Sequence, residues 1–136
     1  MVHSELRLTE GDRIDPVEYR RLRHSTGWDD PAVDDDILAA ALDTTWNVTA
    51  RDEQGGLVGM ARLLDDGALY ATVWDMIVDP PHQHAGIGRA IFESVLARAG
   101  GRSLVSLVAT AAGEPMYRAA GFGERSRGST ALFRRG

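Results

Sequence analysis

Two closely spaced glycines, Gly86 and Gly88, follow an apolar segment and precede a segment with helical periodicity. A glycine at a strand-to-helix turn lets backbone N–H groups approach a ligand without obstruction by a Cβ atom. The first N–H groups of a helix have no intrahelical partners, and they lie at the positive end of the helix dipole. The sequence therefore predicts an anion site, most naturally for a pyrophosphate, with Arg89 adding positive charge at its edge.

Two common phosphate motifs do not fit this segment. A dinucleotide-binding fingerprint needs a third glycine and a later acid, and a P-loop needs a lysine, which the chain lacks. The segment instead follows a longer pattern, Val78-x-Pro80-x-x-Gln83-x-x-Gly86-x-Gly88. Further along the chain, Tyr117 stands four residues before Gly121-Phe122. In these two motifs the chain resembles the GNAT superfamily of acetyl-CoA-dependent N-acetyltransferases, and the resemblance extends over nearly its whole length.

The resemblance implies a GNAT fold, whose mixed, twisted sheet splays apart between its fourth and fifth strands and holds acetyl-CoA in the gap. It implies cofactor contacts from the fourth strand, the glycine loop, the helix start and the tyrosine: Met76, Ile77, Val78, Gln83, His84, Ala85, Gly86, Ile87, Gly88, Arg89, Thr110 and Tyr117. Many family members have an asparagine after the fifth strand, and here Thr110 is expected to substitute for it weakly.

The resemblance also assigns the steps of acetyl transfer. A backbone N–H of the fourth strand, at Met76 or Ile77, polarises the thioester carbonyl. Tyr117, with an ordinary pKa of about 10, protonates the departing thiolate; alternatively, it only packs against the cofactor sulfur or hydrogen-bonds to it. We expect direct transfer to a small primary amine in a ternary complex, because no cysteine is present to carry the acetyl group. The alternatives are a non-catalytic acyl-CoA sensor and an enzyme that acetylates a protein or peptide amine.

The acceptor side is predicted from acids and aromatic residues. Asp75, on the cofactor strand, either accepts the amine proton or holds the ammonium; the alternative is a structural carboxylate that fixes a strand bulge or caps a loop. Trp28, Asp29 and Trp74 are further candidates for substrate binding, since an aromatic face and a carboxylate both attract a cation. For Trp74 the alternative is an ordinary core position.

Hydrophobic periodicity and turn residues predict the element order βααβββαβαββ. This order predicts an α/β (α+β) fold with four helices and a mixed sheet of about seven strands. We expect one domain that covers residues 1–136. Asp15-Pro16 and Asp30-Pro31 each predict a helix start, with Asp30 as a cap. The apolar segment 104–109 predicts a strand buried on both faces. Residues 122–124 and 131–134 predict a last hairpin.

Charge is distributed unevenly along the chain. Residues 1–80 contain 17 acidic residues and 7 arginines, whereas residues 81–136 contain 3 acidic residues and 8 arginines. We therefore predict an acidic acceptor side that receives an amine and a basic cofactor side that receives the pyrophosphate.

Composition excludes several other classes of protein. No apolar run approaches the length of about 20 residues that spans a bilayer, and the N-terminal residues do not resemble a secretion signal. The spacing of Asp79, His82 and His84 fits no standard metal site, and the acidic balance argues against nucleic acid as a partner. We expect a cytoplasmic protein whose partners are acetyl-CoA and a small amine, without a metal, a nucleic acid or a membrane; a homodimer is left open.

Overall fold

The computed structural model describes residues 6–28, 33–126 and 128–135. Along these residues the elements follow the predicted order βααβββαβαββ. The strands are β1 (Arg7–Glu10), β2 (Trp46–Arg51), β3 (Leu57–Asp65), β4 (Tyr70–Val78), β5 (Leu104–Leu107), β6 (Arg125–Ser126) and β7 (Ser129–Thr130). The helices are α1 (Pro16–Ser25), α2 (Asp35–Asp43), α3 (Ile87–Ala99) and α4 (Glu114–Ala119), and a short 3₁₀ helix, Pro80–His82, follows β4.

The main sheet has the strand order β1-β2-β3-β4-β5. Its first four strands form an antiparallel meander, and β5 joins β4 in parallel after the crossover through α3. The prediction of a mixed sheet is confirmed, but the expected strand number is corrected: five of the described strands form it, and β6 and β7 pair only with each other. The turn at Gly128, which has a φ of 78°, sets this hairpin between the two predicted segments.

Helix α1 begins where the sequence predicts. The Asp15 side chain accepts from the N–H of Val17 at 2.7 Å, and the Glu18 side chain accepts from the N–H of Asp15 at 3.0 Å, which completes a capping box. Helix α2 begins later than expected, because Asp34 accepts from the N–H of Ile37 at 3.0 Å and caps it. Asp30, the predicted cap, lies outside the described residues.

Each face of the sheet carries its own apolar core. Helix α3 covers one face, and the buried side chains between them include Val48, Ala61, Leu63, Ile91 and Val95. Helices α1 and α2 cover part of the other face, where the buried side chains include Tyr19, Leu22, Leu42, Met60 and Ile77. Burying such an aliphatic side chain fully stabilises a fold by about 1.5–3 kcal/mol relative to exposure. No described helix has the length and hydropathy that crossing a membrane requires.

Arg51 of β2 holds α1 against the sheet through hydrogen bonds. Its guanidinium donates to both carboxylate oxygens of Glu18 at 2.8 Å and to Asp12 at 2.7 Å. Such paired, charge-assisted hydrogen bonds fix orientation as well as distance. The hydrogen bonds from Arg51 hold the pKa of the Glu18 carboxyl below its usual value. Glu18, which completes the capping box of α1, is therefore also the acid that holds α1 against the sheet.

Strand β5 differs from its prediction. It is shorter than the segment 104–109 and is partly buried on one face only, since Leu104 is 43% exposed whereas Val105 and Leu107 pack against the α3 core. The reason is its place at the edge of the main sheet, where β4 is its one neighbour among the described strands.

The closest approach of α3 to the sheet generates a prediction about stability. A Cβ at Gly59 would lie 3.0 Å from the Cδ1 of Ile91 and 3.3 Å from the carbonyl oxygen of Ile77. We expect Gly59→Val to lower the free energy of unfolding by about 1–3 kcal/mol, because the branched side chain forces α3 outward. Urea unfolding followed by circular dichroism measures the change.

Gly101→Val is the matched control, because a Cβ at Gly101 meets no atom within 4 Å. Its unfolding free energy should stay within about 0.5 kcal/mol of the parent value. Equal losses in both variants would contradict the close packing at Gly59.

Candidate active site

Strand β4 contains a bulge. Arg62 of β3 pairs with Trp74 and Met60 pairs with Ile77, so that Asp75 and Met76 together face the single residue Ala61. Asp75 adopts a φ of 52°, a conformation that L-residues seldom occupy. The extra residue reverses the alternation of side chains: Ala71 and Val73 belong to the α3 core before the bulge, and Met76 and Val78 pack against that core after it.

Beyond the bulge, β4 has no neighbour in β5. Strand β5 pairs only with Tyr70–Val73, so the part of β4 that contains Met76 and Val78 borders a gap. The N–H of Asp79 donates to Val58 on the β3 side at 2.9 Å. Because N–H groups alternate along a strand, those of Met76 and Val78 point away from β3 into the gap, and that of Ile77 points toward β3.

The glycine loop lies at the end of this gap. The side-chain amide of Gln83 donates to the carbonyl oxygen of Val78 at 2.9 Å, which holds the loop against the strand end. His84 and Gly86 adopt φ values of 63° and 86°, and Gly86 caps α3. The chain therefore turns sharply here and exposes the first N–H groups of α3.

The predicted cofactor residues take different places around this loop. A Cβ at Gly88 would be 3.7 Å from Val78 and 4.0 Å from Met76, so the first turn of α3 lies beside the end of β4. Ile87 is buried in the α3 core and offers only its backbone to a ligand, and Ala85 packs against that core. The exposed members are Gln83, His84, Gly86 and Arg89.

His82 belongs to the fold of the loop. Its Nδ1 lies 2.6 Å from a carboxylate oxygen of Asp79 across the 3₁₀ turn. Within the described part of the chain, no three histidine or acidic side chains are grouped closely enough to hold a metal ion.

Tyr117 lies on α4, at the far side of the β5 end. It is 7% exposed and stands in edge contact with Phe92, with ring centroids 5.1 Å apart, and with Phe122 at 6.4 Å. Burial raises the pKa of the Tyr117 hydroxyl above its ordinary value, so the hydroxyl carries its proton at neutral pH. Sequence reasoning missed Phe92, the residue of α3 that positions this ring.

Thr110 has a local partner in the structure. Its hydroxyl accepts from the N–H of Gly113 at 3.3 Å, in the turn that leads into α4. Thr110 therefore orients the helix that carries Tyr117, and its side chain is exposed beside it.

Asp75 is the centre of a buried polar cluster. Its side chain is 3% exposed, and it accepts hydrogen bonds from Arg23 at 2.9 Å, from Arg62 at 2.6 Å and from the hydroxyl of Tyr19. A buried carboxylate requires such partners. Of the alternatives for Asp75, this arrangement favours the structural carboxylate at a bulge, because both carboxylate oxygens already accept hydrogen bonds from the fold. No spacing in the sequence indicates its three partners, which come from α1 and β3.

A cavity of about 190 Å³ lies between α1 and α2, next to the Asp75 cluster. Trp28 lines it, 37% exposed, and Trp74 is 41% exposed on the uncovered part of the sheet, outside the core. Asp29, the third acceptor candidate, lies outside the described residues. The described lining is Tyr19, Arg20, Arg23, Trp28, Val33, Ile37, Leu38, Ala41 and Arg62.

The described part of this lining contains three arginines and no acidic residue. The acidic acceptor side stays a prediction, because Asp29, the acid predicted there, lies outside the described residues. Three acids of the first half serve the fold: Asp34 caps α2, Asp65 pairs with Arg102 at 2.7 Å, and Asp66 accepts three N–H groups in a turn. The uneven charge along the chain therefore reflects in part these local structural roles.

The Asp75 cluster generates a prediction that separates its two alternatives. Asp75→Asn should lower the free energy of unfolding by about 3–5 kcal/mol, because two partly buried guanidinium groups lose the buried anion that they share. Chemical denaturation measures this change, with Asp43→Asn as the control at an exposed acid of α2. Unchanged stability together with lost activity would instead indicate that Asp75 accepts the amine proton or holds the ammonium.

Comparison with known proteins places this architecture. Residues 43–124, more than half of the chain, match the family model described as an acetyltransferase (GNAT) domain. Histone acetyltransferase TAP1 of Glycine max is 30% identical over 96% of this chain and 61% of its own length. Serotonin N-acetyltransferase 2, chloroplastic, of Oryza sativa subsp. japonica is 38% identical over 54% of this chain and 38% of its own length.

The fold has solved counterparts as well. A GNAT family acetyltransferase from Streptococcus pneumoniae superposes with a TM-score of 0.76 and 24% identity, over 96% of this chain and 99% of that one. The chain spans about six-tenths or less of the length of the two curated relatives. The match to the family model, supported by the shared fold, shows that this chain belongs to the GNAT acetyltransferase family.

Proposed function

We propose that this chain transfers the acetyl group of acetyl-CoA to the primary amine of a small molecule, by direct attack in a ternary complex. The observation that carries the proposal is the gap between β4 and β5. Unpaired backbone N–H groups of β4 line one side of it, the glycine loop lies at its end, and Tyr117 is on the helix that follows β5. Acetyl-CoA supplies a thioester, whose carbonyl carbon accepts the amine and whose sulfur leaves as a thiolate.

The loop fits the phosphates of the cofactor. Gly86 exposes the first N–H groups of α3, which lie at the positive end of the helix dipole. Gln83 holds the loop in place through Val78, and Arg89 is exposed at the helix start, where it can pair with a phosphate. We assign to this segment the binding of the pyrophosphate.

The N–H of Met76 is the best placed oxyanion donor. It points into the gap directly after the bulge, whereas that of Ile77 points toward β3. A fixed N–H donor stabilises negative charge that develops on a carbonyl oxygen, and it needs no reorganisation during the reaction. The bulge at Asp75 is what aims this N–H.

Tyr117 is assigned the role of general acid. Burial keeps its hydroxyl protonated at neutral pH, and contact with Phe92 fixes the ring. The hydroxyl gives its proton to the sulfur as the C–S bond breaks, and it regains a proton from the acetylated amine through water. The chain has no cysteine to form an acetyl-enzyme, which supports direct attack.

The size of the acceptor is inferred from the cavity between α1 and α2. Its volume of about 190 Å³ lies below the roughly 300–1,000 Å³ of drug-sized sites, which favours a small amine. The names of the relatives include both a protein substrate and a small amine, since one is named for histones and another for serotonin. A screen of small amines and peptides with acetyl-CoA, read by mass spectrometry, tests the proposal. Coenzyme A binding without any acetylated product would indicate a sensor.

Removing the Tyr117 hydroxyl tests the chemical step. Tyr117→Phe should lower kcat by about a hundredfold or more, while the KM for acetyl-CoA stays near the parent value, because the ring still fills its place. Initial rates of thiol release measure both constants. Tyr70→Phe, the same change at an exposed tyrosine, serves as control. An unchanged kcat in Tyr117→Phe would remove Tyr117 from the role of acid.

Placing a carboxylate in the glycine loop tests the phosphate site. Gly86→Asp should weaken acetyl-CoA binding at least tenfold, since it adds bulk and negative charge beside the helix N-terminus. Isothermal titration calorimetry measures the Kd. Gly67→Asp is the matched control, because Gly67 has a similar φ of 79° in open space. Equal affinities in the two variants would contradict this placement of the pyrophosphate.

A further inference from the structure

Arg62 presents an unused hydrogen-bond donor to the acceptor cavity. Its Nε donates to Asp75 at 2.6 Å, and its Nη1 lies 3.3 Å from both the carbonyl oxygen of Ala41 and the hydroxyl of Thr45. Within the part of the chain that the structure describes, its Nη2 donates no hydrogen bond, and no buried side-chain nitrogen or oxygen there lacks a partner. The Nη2 group is therefore open to the cavity that Arg62 lines.

Asp75 serves Arg62 together with other donors of the cluster. The carboxylate is shared with Arg23, which it contacts at 2.9 Å, and with the hydroxyl of Tyr19. Burial, and then the nearby Asp75 charge, raise the pKa of Tyr19, so this phenol stays neutral and supplies no second anion. With a side chain that is 14% exposed, Arg62 is also poorly hydrated. A partly desolvated guanidinium with an open Nη2 is a strong site for an added carboxylate.

The rest of the described lining is apolar in character. Val33, Leu38 and Ala41 line the cavity together with Ile37 and the ring of Trp28. An apolar side group of the acceptor fits such walls. Arg62 pairs across the sheet with Trp74, next to the bulge that aims the N–H of Met76. A ligand anchored on Arg62 is therefore held at the edge of the reaction centre.

From this geometry we infer that the acceptor is an amine that carries a carboxylate close to the amino group and an apolar side group, with Arg62 as the residue that binds the carboxylate. The inference rests on the proposed acetyl transfer and names its substrate class. Arg62 is thereby a specificity-determining residue, and alkylamines or polyamines without an acid group are poor acceptors.

Matched acceptors test the inference in the parent protein. The set is L-phenylalanine, L-phenylalaninamide and phenethylamine, with L-leucine, L-leucinamide and isoamylamine as an aliphatic series. Released coenzyme A is measured with a thiol reagent, to which this cysteine-free chain adds no signal. We expect kcat/KM to be at least about tenfold higher for the amino acids than for either neutral partner.

The amides are a strict control for the preference for amino acids, because their chemical reactivity works against that preference. An amide group lowers the pKa of the neighbouring amine more than a carboxylate does, so at neutral pH the amides offer more of the reactive neutral amine. A preference for the amino acids therefore reports recognition of the carboxylate. Equal or higher kcat/KM for the amides or the simple amines would overturn the inference and leave the proposed acetyl transfer standing.

Two variants locate the preference. Arg62→Gln should bring the amino-acid to amide ratio close to one, while Arg62→Lys, which keeps the positive charge, should retain part of it. Arg102→Gln removes an arginine–aspartate pair of the same kind at Asp65, away from the cavity, and should leave the ratio unchanged. A ratio that survives in a folded Arg62→Gln protein would overturn the role of Arg62.

A binding measurement keeps the inference testable if no acceptor in the set is acetylated or if Arg62→Gln does not fold. Calorimetry of the parent protein with L-phenylalanine and L-phenylalaninamide, in the presence of coenzyme A, reads recognition without chemistry. Tighter binding of the amino acid supports the inference even where acetyl transfer itself fails. Equal or tighter binding of the amide overturns it.

Discussion

A buried carboxylate at a strand bulge is the constraint on which the rest of this site depends. Asp75 is almost completely removed from water, and an isolated charge in that position would cost several kcal/mol. Its partners come from distant parts of the chain: Tyr19 and Arg23 from α1, and Arg62 from β3. The need to satisfy one anion therefore fixes the position of a helix and two strands relative to one another.

The two halves of β4, before and after the bulge, have different structural roles. Its first half is paired on both sides and belongs to the core under α3, whereas its second half has β3 on one side and the gap on the other. Gly59 lets α3 approach the sheet closely, which brings the glycine loop to the end of that gap. The position of the cofactor loop thus depends on packing against one face of the sheet. The acceptor cavity depends on the ion cluster at the other face.

Sequence reasoning succeeded where the signal is local. The cap at Asp15, the glycine at the start of α3 and the order of the elements follow from neighbouring residues, and the GNAT motifs point to the family that the comparisons establish. It failed where position depends on partners far along the chain. Several acids of the first half look available in the sequence, yet caps, turns and ion pairs use them. The exposed face of β5 and the separate hairpin depend on which elements reach the sheet edge, and periodicity carries no information about that.

The bulge also has a consequence for how the strand finds its place. Because Asp75 is an extra residue, β4 could pair with β3 without it, and every later side chain would then turn to the opposite face. Ile77 would leave the core under α1, Met76 would leave that under α3, and the two arginines would lose their anion. The ion cluster thus penalises the slipped pairing, and the group that shapes the finished site also selects the correct strand register during folding.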